Sequence, residues 1–145
     1  MEDFTTFICF NLKATNRKVE RFLTVDFQEF GINVAQSFII LCLLDQNGST
    51  LSEISNRANI ESSSLTTMVD KLEDMNLLRR QLDRKDRRVI RVFLTDKGRD
   101  LAERVLEAGT KFNQLLKNAL DGEEIALLKS LATISKTLEE AEKKR

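Results

Sequence analysis

Apolar positions along most of the chain recur three and four residues apart, the spacing of one face of a helix. The first such stretch predicts a helix from about Asp3 to Thr24, with Phe4, Phe7, Ile8, Leu12, Val19, Phe22 and Leu23 on one side. Gly31 lies in the loop after it, and Asn33 then precedes Gln36 by three residues. That spacing is the signature of a helix cap and its reciprocal partner. The helix they open carries Phe38, Ile39, Cys42 and Leu43, and is apolar over so much of its circumference that it must lie centrally. Proline is absent, and Gly31, Gly48, Gly98 and Gly122 fall where the periodicity is interrupted.

Two short helices come next. Thr50-Leu51-Ser52-Glu53 has capping-box spacing and opens a helix carrying Leu51, Ile54 and Ala58. Past Asn59 and Ile60 a second helix begins near Ser62, with Leu65, Met68, Val69 and Leu72 on its apolar side. Asn76 follows it and tolerates the left-handed backbone with which helices often end. So short a connection between two short helices is helix-turn-helix spacing. The period then falls to two. Leu77 to Leu82 predicts one strand and Val89 to Leu94 another, in which Ile90, Val92 and Leu94 alternate with Val89, Arg91 and Phe93. Every residue of the tip between them is charged: Asp83-Arg84-Lys85-Asp86-Arg87-Arg88. A hairpin of this kind directly after a helix-turn-helix is the wing of a winged helix.

Thr95 caps a long helix predicted from about Asp96 to Ala119, carrying Leu101, Val105, Ala108, Phe112, Leu115 and Ala119 at helical spacing. Asp121 with Glu124 predicts another cap before a last helix carrying Leu128, Leu131, Ile134, Leu138 and Ala141. Lys143, Lys144 and Arg145 suit the negative end of its dipole. The expected fold is therefore mainly α. Within one domain, residues 33–98 form a winged helix-turn-helix lobe with a small β-hairpin wing, and residues 1–30 and 99–145 form a helical region. The outer helices carry longer apolar seams than the lobe needs for its own core, so a twofold partner of the same chain is expected to cover them.

Composition narrows the chemistry. The 145 residues are 41% apolar and 32% charged, as in a folded protein with a charged surface. The longest apolar run, Phe38 to Leu44, is far short of a membrane span, and no basic segment leads into an apolar core at the N-terminus. A cytoplasmic protein with no membrane partner is the expectation. Basic and acidic residues balance at 23 each, so total charge says nothing about nucleic acid. Their distribution does: Arg79 to Arg91 holds seven basic residues against two acidic ones. With no histidine and only Cys9 and Cys42, Cys/His zinc sites and His-dependent nucleophilic catalysis are excluded. No glycine-rich phosphate loop is present either, and neither enzyme activity nor a cofactor is expected.

The ordered set Leu51-Ser52-Glu53-Ile54, Ser64 to Glu73, Asn76-Leu77-Leu78, Asp83 to Arg88 and Leu94-Thr95-Asp96-Lys97-Gly98 resembles the MarR family of bacterial regulators. Helix order extends the likeness over essentially the whole chain, with Asn76 standing where the family usually has glycine. The resemblance implies a homodimer that reads a near-palindromic operator in double-stranded DNA, usually as a repressor. It also implies a cleft for a small aromatic or lipophilic effector, for which Phe4, Phe7, Phe10, Phe22, Phe38 and Phe112 are candidates. Small hydroxyl side chains let a helix sit deep in the major groove, which makes Ser62, Ser63, Ser64, Thr66 and Thr67 candidates for bases or phosphates and Lys71 for a phosphate. On an extended strand Asp86 and Arg88 would share one side, so the carboxylate could hold the guanidinium in a fixed pose. By the family pattern Arg88 enters the minor groove, while Arg84, Lys85 and Arg87 meet phosphates. A charged tip and a hydroxyl-bearing helix face are also what solvent alone would select, which leaves a protein-interaction module as the rival reading. Salt and sequence dependence of binding separates the two.

Cys9 lies where peroxide-sensing relatives place a reactive thiol, giving redox sensing as an alternative. No Lys, Arg or His lies close before it and the chain has no tyrosine, so a buried inert thiol is expected. Cys42 is expected in the core.

Overall fold

A computed structural model describes the whole chain, Met1–Arg145, as two compact units, Met1–Ala108 and Gly109–Arg145. The first unit opens with a 3-10 turn, Phe4–Thr6, followed by α1, Ile8–Gln28. The single helix expected from Asp3 is thus broken at Phe7, whose backbone is extended. The Asp3 carboxylate causes the break locally by accepting the Thr5 N–H at 3.0 Å, which closes a separate turn. Only Leu23 and Phe27 of α1 are buried, while Phe4, Phe7, Ile8, Leu12 and Phe22 stay exposed.

The capping box of α2, Val34–Asp45, forms in both directions. Ile39, Ile40 and Leu43 are fully sealed, as central placement requires, although Phe38 faces outward at 47% exposure. Two-residue strand β1, Ser49–Thr50, leads into α3, Leu51–Ala58, whose Thr50–Glu53 box also forms in both directions. Asn59 turns the chain in the left-handed region at φ 53°, and α4 runs over Ser62–Asp74. Leu65, Val69 and Leu72 of α4 meet Ile54 of α3 and the α2 side chains in one core. Each such aliphatic side chain contributes about 1.5–3 kcal/mol by leaving water.

Asn76 reverses the chain at φ 58°, so the departure from glycine is accommodated. Strands β2, Leu78–Leu82, and β3, Ile90–Leu94, pair antiparallel with Leu78 opposite Leu94 and Leu82 opposite Ile90. β1 adds to the free edge of β3, with Ser49 opposite Val92. At that edge the Gly48 N–H donates to the Val92 carbonyl at 3.0 Å, and the Asn47 side-chain oxygen accepts the Leu94 N–H at 2.9 Å. Within β3, Val92 and Leu94 are buried as the alternation requires, but Ile90 at the wing end is 39% exposed.

Helix α5, Asp96–Leu120, begins in this unit. The Thr95 hydroxyl accepts the Gly98 N–H at 3.0 Å and donates to the Asn76 carbonyl at 2.6 Å. Gly98 proves to be a helical residue in the first turn rather than an interruption. A Cβ there would lie 1.9 Å from the Leu77 carbonyl oxygen, so glycine is what lets the helix start against the β2 backbone. Leu101, Ala102 and Val105 are buried beyond it.

The second unit holds the C-terminal part of α5 and helix α6, Glu124–Glu142. Asp121 (φ 46°) and Gly122 (φ 89°) make the turn between them. The expected Asp121 cap is not formed, because a left-handed residue cannot occupy the extended cap position. Glu123 takes that place without a side-chain bond, and Glu124 pairs with Lys117 at 3.5 Å. No α6 residue is buried, and Ile125, Leu127, Leu128, Leu131 and Leu138 are exposed. No helix of the chain is long and apolar enough to cross a membrane.

Candidate nucleic-acid interface

Helix α4 presents two chemically distinct faces. Leu65, Val69 and Leu72 point into the core, which leaves Ser62, Ser63, Ser64, Thr66, Thr67, Asp70 and Lys71 exposed at helical spacing. The Thr66 hydroxyl turns back to the Ser62 carbonyl at 3.1 Å, so its proton is engaged within the helix. Ser63, Ser64 and Thr67 carry no such bond and line a shallow cavity of about 340 Å³ together with Lys71, Asn33 and Gln36. Asp70 is not part of the free face. It and Glu73 hold the Arg80 guanidinium, Glu73 at 3.0 Å, and so tie β2 to α4.

The wing is built by a second set of ion pairs. Asp83 at its base accepts the backbone N–H of Lys85 at 2.7 Å and of Asp86 at 3.2 Å, and its other oxygen binds Arg91. Arg91 in turn donates to the Gly48 carbonyl at 2.9 Å, which joins the tip to the β1 edge. The Arg91 contact, followed by the two amides, holds the Asp83 carboxyl down to about 2. At the tip Arg88 donates from Nε to Asp86 Oδ1 at 3.1 Å and from its terminal nitrogen to Oδ2 at 3.2 Å. These bonds, with the Arg88 N–H behind them, also lower the Asp86 carboxyl. The expected Asp86–Arg88 pairing forms, but its expected geometry does not: the two residues lie in a turn closed by Val89 N–H and the Asp86 carbonyl at 3.0 Å. A fork-to-fork pair across a turn still restricts the guanidinium, whose side chain remains 89% exposed.

Charge counting along Arg79 to Arg91 therefore overstates the free cations. Arg80 and Arg91 are structural, and Arg79 stacks over the Phe93 ring at 4.8 Å. Arg84, Lys85 and Arg87 are exposed without ion pairs, and Arg88 is oriented by Asp86. Those four lie in the tip, while the hydroxyl face and Lys71 lie on α4. The arrangement offers hydrogen-bonding groups on a rigid helix and cations on an adjoining hairpin, the two chemistries that groove edges and phosphates require.

The cysteines divide. Cys42 is buried, and burial raises its thiol, with Arg57 acting in the opposite sense. Cys9 is exposed within the chain, contrary to the expected buried thiol, because the α1 face on which it sits has nothing packed over it. Among the phenylalanines considered for an effector cleft, Phe4 and Phe10 meet edge-to-face at 5.2 Å, Phe7, Phe22 and Phe38 are exposed, and Phe112 is half-buried in the second unit.

Comparison with known proteins gives this arrangement a context. The MarR family model matches residues 32–90, from the start of α2 into β3. The HTH-type transcriptional repressor MdtR of Bacillus subtilis (strain 168) is 37% identical over 101 residues, 70% of this chain and 64% of its own, so less than two thirds of that relative is spanned. PecS, an HTH-type transcriptional regulator of Dickeya dadantii, is 32% identical over 124 residues, 83% of this chain and 74% of its own. The solved structure of the transcriptional repressor CouR bound to a 23-mer DNA duplex superposes with a TM-score of 0.82 at 26% identity, over 93% of this chain and 99% of that one. Shared sequence over the lobe and shared architecture over nearly all the chain lead to one conclusion: this protein belongs to the MarR family of winged-helix transcription regulators.

Proposed function

We propose that the chain acts as a homodimeric, sequence-specific DNA-binding transcription regulator, by binding rather than catalysis, in the cytoplasm. The observation that carries this reading is the pairing of an exposed hydroxyl face on α4 with a tip whose Arg88 is oriented by Asp86. In this reading Ser63, Ser64 and Thr67 face the major groove, with Ser62 and Thr66 beside them. Arg88 enters the minor groove, and Arg84, Lys85, Arg87 and Lys71 meet phosphates. Residues 33–98 serve as the DNA-binding lobe, and residues 1–30 and 99–145 dimerise. The exposed Phe4, Phe7 and Ile8 at one end and the uncovered α6 at the other support that assignment. The affinity of a repressor of this kind is set by two half-sites one helical turn apart.

The test is selection of bound fragments from random duplex DNA, followed by affinity against salt for the winner. One enriched near-palindrome with a steep salt slope is the expected result. No enrichment even at low salt overturns specific readout and favours the rival protein-interaction module.

Exposure of Cys9 supports a second reading in which a peroxide oxidises its thiol to sulfenic acid, the peroxide being reduced to an alcohol or water. Hydroperoxide treatment should then weaken DNA binding by the native protein and not by Cys9→Ser. Equal behaviour of the two proteins would leave Cys9 without a redox role.

A further inference from the structure

Asn33 and Gln36 cap α2, yet the cap uses only half of each side chain. Asn33 Oδ1 accepts the Gln36 N–H at 2.8 Å, and Gln36 Oε1 accepts the Asn33 N–H at 2.9 Å. Both carboxamides are thereby fixed in orientation, because flipping either would set an NH2 against a backbone N–H. Each oxygen is engaged by a backbone N–H at the helix start, and each NH2 group is left over from the cap. Neither NH2 group has an acceptor in the chain. For Gln36 this matters most, since the residue is only 6% exposed and buried polar groups are normally paired. No side-chain polar atom is sealed off without a partner, so the Gln36 Nε2 is the part of the residue that remains open.

Asn33 and Gln36 both line a cavity shared with α4. Its lining comprises Asn33, Gln36, Ser63, Ser64, Thr67, Lys71 and the Met68 side chain, and no carboxylate is among them. Asp74 lines a neighbouring cavity, where Asn33, Gln36 and Lys71 also appear. Asp70 and Glu73, the other acids of that half of α4, hold Arg80. Lys71 has no ion pair. The cavity therefore gathers two oriented amide donors, one unneutralised ammonium and three hydroxyls. A group rich in acceptors and carrying negative charge is the complement of such a lining.

We propose that Asn33 and Gln36, with Lys71, clamp one DNA backbone phosphate beside α4, which fixes how deeply and at what angle that helix enters the groove. This assignment rests on the DNA-binding reading above and adds a contact made by the preceding helix. Because the clamp grips the backbone, it acts on every sequence alike and sets register rather than base preference.

Isosteric substitutions separate the two roles of these residues. Gln36→Glu and Asn33→Asp keep the oxygen that the cap needs and replace the donor with a second, negatively charged oxygen. Each variant should melt at or above the native temperature while binding DNA about tenfold more weakly, by similar factors on preferred and unrelated duplexes. The slope of log affinity against log salt should become shallower by about 0.9, the value for one phosphate contact. A second measurement locates the contact. On duplexes carrying a neutral methylphosphonate at one backbone position at a time, one position per half-site should weaken the native protein and leave Gln36→Glu unaffected. Native affinity and slope in both variants, or a loss confined to one base sequence, would overturn the clamp while the DNA-binding reading stands. A native protein that binds no DNA at any salt would overturn both.

Discussion

The two units solve the burial problem in opposite ways. In Met1–Ala108, helices α2, α3 and α4 and the three-stranded sheet turn Ile39, Ile40, Leu43, Ile54, Leu65, Val69, Leu72 and Val92 onto one another until almost none of their surface remains. In Gly109–Arg145, Leu115, Leu116, Ile125, Leu128 and Leu138 are just as apolar and remain uncovered. The first is a core that a single chain completes. The second leaves its apolar side chains in water, which forgoes the main stabilising term in folding. The lobe completes its own core, whereas the helical ends leave apolar faces that a second copy would cover in the proposed dimer.

The difference between the two units yields several tests. The largest effect is expected from Leu128→Asp combined with Leu131→Asp, which places two charges where the seam would close. Sedimentation should show loss of the dimer, and operator affinity should fall by about 100-fold as the second half-site is lost, with the lobe still folded by circular dichroism. An unchanged sedimentation coefficient would remove α6 from the interface. Gly98→Ala attacks the completed side. Its Cβ meets the Leu77 carbonyl oxygen, so the cost should reach or pass the ~1–3 kcal/mol of ordinary overpacking, read as a lower denaturant midpoint. Arg88→Ala touches neither core nor seam, and should weaken DNA binding by about tenfold, ~1–2 kcal/mol, with dimer and stability intact. Native affinity in that variant would sink the wing assignment.

The smallest effect is the acid response of the wing. The Asp83 carboxyl sits near 2 when folded and near 3.8 when free of its partners, so its stabilisation is present above about pH 4 and lost as pH falls toward 2. Tip amides of Lys85 and Asp86 should lose hydrogen-exchange protection in that window, and Asp83→Ala, which removes the acceptor, should show the loss already at neutral pH. Protection that persists in the native protein below pH 2 would mean that other contacts hold the tip.

Much of this division was legible in residue order. The two capping boxes, the left-handed Asn76, the hairpin and the Asp86–Arg88 pair follow from local chemistry, and local chemistry is what a sequence displays. Contacts between distant residues were not legible. Arg80 reads as a free cation until β2 is laid beside α4, and only then do Asp70 and Glu73 claim it. Arg91 is likewise hidden behind its contact with Gly48, 43 residues away. Two-residue β1 has no period to detect. Gly98 looked like a break because a close approach and a turn leave the same mark on a sequence. The donors of Asn33 and Gln36 are hidden for a different reason: a cap accounts for both residues, and nothing in the order of residues says that it uses only one end of each.

The β1 edge also bears on how the protein ages. An asparagine followed by glycine is chemically fragile, because the glycine nitrogen can attack the side-chain carbonyl carbon and close a succinimide ring with loss of ammonia. At Asn47-Gly48 the attacking nitrogen is engaged by the Val92 carbonyl, and the Leu94 N–H holds the Asn47 side chain at the strand edge. Deamidation there requires the strand edge to open first. The rate at which Asn47 converts to aspartate and isoaspartate in storage is therefore a slow clock, readable by mass spectrometry, for how often this edge of the sheet comes undone.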